Sequence, residues 1–162
     1  MKEILDKVTS YNLFNYLLPG TLFIVILNGF TQYSFTQDNL IIATFVYYFT
    51  GLIISRIGSL VIEPILKKLK FVEFAEYKDF VVASKSDPKL EYLSEANNMY
   101  RTFISMFILL FLFKLYELFS YRYVFLITHE DSLLILALLI IFAFSYRKQT
   151  SYIKTRAESH KS

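Results

Sequence analysis

The stretch FILLFLFKLYELF (residues 107–119) is nearly saturated with leucine, isoleucine and phenylalanine, yet it carries Lys114 and Glu117. Two opposite charges fit poorly in a soluble core and worse in hydrocarbon, so their meaning depends on the solvent around the chain. With 55% hydrophobic and 19% charged residues in 162, and a mean hydropathy of +0.43, the chain is far more apolar than a soluble domain of its size. It reads as a membrane protein. The absence of cysteine excludes disulfides, thiolate metal sites and cysteine nucleophiles, and His129 and His160 are too far apart for a zinc cluster. No metal and no cofactor is expected.

Working outward, four apolar stretches approach the roughly 20 residues that cross about 30 Å of hydrocarbon. They lie near residues 13–30, 39–62, 99–121 and 131–147. The expectation is an all-α membrane protein with four transmembrane helices in one membrane domain, a small helical cytoplasmic connector over 63–96 and a basic cytoplasmic tail over 148–162. Pro19-Gly20 predicts a break between an interfacial segment over residues 2–15 and the first span proper. No small-x-small cleavage site follows Phe30, so this segment reads as a retained helix.

Basic residues cluster at Lys2 and Lys7, over 67–89, and from Arg147 onward, whereas the 31–38 connector has none and the 121–131 connector only Arg122. Because lysine and arginine in short loops stay cytoplasmic, both termini are placed inside a bacterial inner membrane. In the connector, Phe71, Phe74, Tyr77, Phe80 and Val81 recur near helical spacing and predict an amphipathic helix after the Glu63-Pro64 break. Asp87 and Pro88 then suit a helix start, which predicts one long helix from Pro88 to about Phe119.

If that helix enters the bilayer near Met99, Lys114 lies about 22 Å deeper and within about 8 Å of the far surface. Lys114 and Glu117 share a face at i, i+3 spacing. Two readings stand: an ion pair that fixes helix depth, which is favoured, or a pair lining a water-filled mouth or joining subunits. In GLIISRIGSLVIEP, Gly51, Ser55, Gly58 and Ser59 form a small-residue stripe for close helix packing, within one chain or between subunits. Arg56 is either an interfacial anchor, paired with Glu63 two turns on, or a cation at the inner mouth of a pore. The run from Asn97 to Arg101 lies at the same depth and can meet it through hydrogen bonds.

The spans offer no carboxylate near the midplane, which disfavours coupled transport, and no paired acids, triad or phosphate loop, which disfavours an enzyme. Lys67, Lys68, Lys70, Arg101, Arg147 and Lys148 emerge on one side. Repeated by symmetry, they would form a positive ring able to take a nucleotide or oligonucleotide, but not duplex nucleic acid.

The stretches SYNLFNYLLPG, GLIISRIGSLVIEPILKKLKF and NNMYRTF resemble Hailong-type effectors, short bacterial membrane proteins encoded beside nucleotidyltransferases in anti-phage loci. The resemblance implies a homo-oligomeric, ligand-gated, ion-conducting pore, opened in defence by a nucleotide or oligonucleotide signal from the partner enzyme. The alternative is a non-conducting membrane scaffold that recruits a cytoplasmic partner.

Overall fold

The structure is a computed structural model and describes residues 12–159. Among these residues the fold is helical, with no strand. We label the helices α1 (Leu13–Phe30), α2 (Leu40–Lys68), α3 (Tyr77–Ser86), α4 (Lys89–Ser120), α5 (Val124–Thr128) and α6 (Glu130–Ser159). Helices α1, α2 and α4 are each long and apolar enough to cross a membrane. Asn39 starts α2 by accepting from the amides of Ile41 (2.9 Å) and Ile42 (3.2 Å). Asp87 starts α4 by accepting from the amide of Lys89 at 2.9 Å, so the long helix appears where the Asp-Pro signal places it.

Two prolines lie inside helices without breaking them, by one device. In α1 the turn Leu13–Leu17 is π-helical, with the Leu18 amide donating to the Leu13 carbonyl five residues back. Pro19 therefore enters at the first turn of the following α segment, where its missing N–H costs least. The predicted break at Pro19-Gly20 is thus absent. Most of the 2–15 interfacial segment lies outside the described residues, and its remainder belongs to α1. In α2 the π turn Gly58–Ile62 likewise precedes Pro64, and the Glu63 amide donates to the Gly58 carbonyl. With i→i+5 spacing the next carbonyl, that of Ser59, would need the amide of residue 64, which proline lacks.

The connector also differs from expectation. The helix predicted over Phe71 to Val81 begins only at Tyr77, leaving Phe71 and Phe74 in an irregular segment. The cause is the stop after α2. Lys70 adopts φ 55°, its amide donates to the Lys67 carbonyl, and the Phe71 amide donates to the Leu66 carbonyl, the bonding of a left-handed C-terminal cap. That reversal removes the residues after it from helical geometry, whatever their spacing.

The core is small and lies among α1, α2 and α4: Phe23, Ile24, Leu27, Ile54 and Met106. Helices α1 and α2 cross at two glycines. A Cβ on Gly20 would strike the Tyr47 carbonyl, and one on Gly51 the Tyr16 carbonyl. Between α2 and α4 the contact is polar and buried, with Ser105 Oγ donating to the Ile54 carbonyl (2.9 Å) and Thr102 Oγ1 to Ser55 Oγ (3.3 Å). Small side chains let backbones approach, and their hydroxyls bond across the interface. Large apolar side chains instead point outward, including Phe45, Phe111, Ile135 and Leu139. Such an apolar belt around a small core suits hydrocarbon as solvent. Helix α6 lies at the edge, where Phe142 stacks on Phe49 with ring centroids 5.9 Å apart.

A candidate anion site and its counterpart

At the end of the bundle where α2 passes Pro64, one carboxylate gathers cations from three helices. Glu63 is only 8% exposed. Its Oε1 lies 2.9 Å from Lys67 Nζ, one turn along α2, and its Oε2 accepts from Arg101 Nη1 of α4. Lys148 Nζ of α6 stands 4.0 Å from Oε1. The same ammonium donates to the Ser59 carbonyl at 2.6 Å and to Ser59 Oγ at 2.7 Å. The carbonyl left without an amide by the π turn and Pro64 is thus completed by a lysine 89 positions away, which fixes α6 to α2. Lys67 also sits 4.0 Å above the centre of the Phe74 ring, tying the irregular connector to the site.

Charge here is unbalanced: among the described residues, three cations on one carboxylate leave two positive charges uncompensated. Arg101 Nε is buried with no hydrogen-bond partner among the described residues. Burial is the main reason that Lys148 is held below the ordinary lysine pKa; Glu63 opposes the shift, and Arg101, Lys67 and Arg56 add to it. A partly dehydrated cluster with surplus donors can accept a phosphate or carboxylate group.

Of the six residues assigned to ligand binding, the structure brings together Lys67, Arg101 and Lys148. Lys68, Lys70 and Arg147 are exposed and make none of the cluster's contacts. Lys70 acts through its backbone as the cap of α2. The pairing considered for Arg56 with Glu63 is replaced by Arg101 with Glu63. In a regular helix, residues seven apart share a face, but the intervening π turn inserts one residue and rotates the downstream face by about 100°. Arg56 therefore adds positive field near Lys148 without bonding Glu63. Sequence reasoning missed Glu63 as the hub. The Ser-to-Pro spacing of five was a usable signal for the bare carbonyl, while nothing local pointed to Lys148 as its donor.

The opposite end carries the charges of the 107–119 stretch. Lys114 Nζ donates to the carbonyl of Phe30, the last residue of α1, at 2.8 Å, and pairs with Glu117. Glu117, 7% exposed, also accepts from the Gln32 amide at 2.8 Å, and the Tyr121 hydroxyl donates to Gln32 Oε1 at 3.2 Å. The cation closes an open helix C-terminus, and the anion orders the loop beyond it. Both charges are engaged within one chain. The small-residue stripe is likewise occupied within the chain: Gly51 by Tyr16, Ser55 by Thr102, Gly58 by Ser105 and Arg101, and Ser59 by Lys148.

Compared with known proteins, the chain matches no family model, no curated protein and no solved structure.

Proposed function

We propose that this chain is a homo-oligomeric effector of the bacterial inner membrane whose pore opens when a cytoplasmic nucleotide or oligonucleotide engages the Glu63 cluster, as part of anti-phage defence. The observation that carries this reading is the surplus positive charge shared by α2, α4 and α6 around one carboxylate. A polyphosphate offers Arg101 and Lys148 more charge than Glu63 does. By drawing Lys148 away from Ser59, it would release α6, which leans on the other helices chiefly through that contact and the Phe49–Phe142 stack.

In this reading α6 is the fourth span, crossing over residues 131–147, and both termini face the cytoplasm. Phe23, Ile24, Leu27, Ile54 and Met106 fill the space among the three packed helices, so conduction takes place on a symmetry axis between subunits, with the exposed apolar faces of α2 and α6 as contact surfaces. The membrane, other copies of the chain and a nucleotide made by a nucleotidyltransferase are its partners, and the chain itself does no chemistry.

Ion flux from proteoliposomes tests the proposal. Addition of the activating nucleotide should start a leak, and Arg101→Ala or Lys148→Ala should raise the concentration required about tenfold, the usual worth of one charge-assisted hydrogen bond. Vesicles that stay tight under every cyclic and linear nucleotide tried would overturn it. A tight vesicle together with a soluble protein retained by the exposed Phe71 and Val82 surface would support the scaffold alternative.

A further inference from the structure

At the end of the bundle remote from the cationic cluster, α4, the first turn of α6 and the loop after α1 enclose a half-open cavity of about 500 Å³. That is within the range of small-molecule sites. Its wall has three chemistries. Leucines such as Leu112 and Leu134, both also exposed at the outer surface, form an aliphatic side. Tyr33, Phe113 and Tyr116 form an aromatic side, with the Tyr33 ring centre 6.1 Å from each of the other two. The Tyr116 ring is held in place because its hydroxyl donates to the Leu126 carbonyl at 2.9 Å. Glu130 and Asp131 supply two carboxylates.

Aromatic faces beside carboxylates are the chemistry that attracts an ammonium group, through the ring quadrupole and direct charge. Glu130 and Asp131 also complement the dipole of α6, but that task needs neither a cavity nor aromatic neighbours. The leucine side continues into the apolar belt that faces lipid. We propose that this cavity is a lipid site that selects a phospholipid with an ethanolamine headgroup, its ammonium among Tyr33, Tyr116 and the two carboxylates, and one acyl chain along Leu112 and Leu134. An anionic glycerol headgroup would face like charge there. This proposal rests on the membrane reading and is independent of conduction or of any nucleotide.

The chain contains no tryptophan, so one installed by Leu112→Trp is a sole reporter of the cavity, and one installed by Phe45→Trp, outside its lining, reports general lipid contact. In vesicles mixing ethanolamine and glycerol phospholipids, with bromine on the chains of one or the other, the cavity reporter should be quenched about threefold more by the brominated ethanolamine lipid. The Phe45→Trp reporter should show no preference, and E130Q/D131N should abolish the preference at the cavity. Equal quenching at Leu112→Trp, or a preference that survives E130Q/D131N, overturns the proposal. The unsubstituted protein gives a second reading: native mass spectrometry should find ethanolamine lipid retained over glycerol lipid, and retention unchanged in E130Q/D131N would also overturn it.

Discussion

The two ends of this bundle each bury a glutamate, and they use it differently. Glu117 is matched: one lysine and one backbone amide satisfy it, and a second donor of the lysine closes the end of α1. Glu63 is outnumbered: three cations from three helices converge on it, one of them is also engaged by a backbone carbonyl, and a guanidinium nitrogen has no partner among the described residues. A matched pair has little to gain from a ligand and acts as a rivet. An outnumbered carboxylate leaves a field that an external anion can neutralise, so under the proposed function the same residue type marks a fixed end and a responsive one.

The widest disruption removes both ends together. Gly51→Leu would drive a side chain into the Tyr16 backbone and separate α1 from α2, costing upward of about 3 kcal/mol, the high end for overpacking. Monodispersity in detergent and the midpoint of unfolding in a denaturing-detergent titration would report this loss. Glu63→Ala comes next, at about 3 kcal/mol, because it leaves dehydrated cations without their anion. Added polyphosphate should recover part of the unfolding midpoint in Glu63→Ala, and a variant indifferent to it would erase the distinction between the two ends. Glu117→Gln should lower the midpoint less than Glu63→Ala does, since the amide oxygen can still accept from Gln32 and the exposed Lys114 can reach the interface. Its midpoint should not respond to polyphosphate. The smallest effect is a gain: Lys70→Gly removes the strain of a side chain at φ 55° and should stabilise the end of α2 by about 1 kcal/mol, leaving any anion response unchanged.

Much of this architecture was legible in local sequence. The Asp87-Pro88 pair announced a helix start because capping is completed within three residues. The i, i+3 spacing of Lys114 and Glu117 announced their pairing. The errors arose where backbone register changed. The aromatic spacing of Phe71 to Val81 imitated a helix across a cap, Pro19 read as a break because the π turn before it left no pattern in composition, and Arg56 seemed aligned with Glu63 because an inserted residue is invisible to a periodicity count. For the candidate site, basic character on one side was visible, but which three of six cations converge was not.

By itself the sequence determined apolar runs long enough to cross hydrocarbon, the cap at Asp87, and where along the chain positive charge accumulates. These follow from transfer free energies and short-range hydrogen bonds, which sum over neighbours in the chain. Only the tertiary structure decided that Lys148 completes the Ser59 carbonyl, that Arg101 takes Glu63 and that the glycine stripe is filled from within, since each joins helices far apart in sequence. Their pairing depends on how the π turns rotate the faces of α1 and α2, a geometric consequence that no residue carries alone.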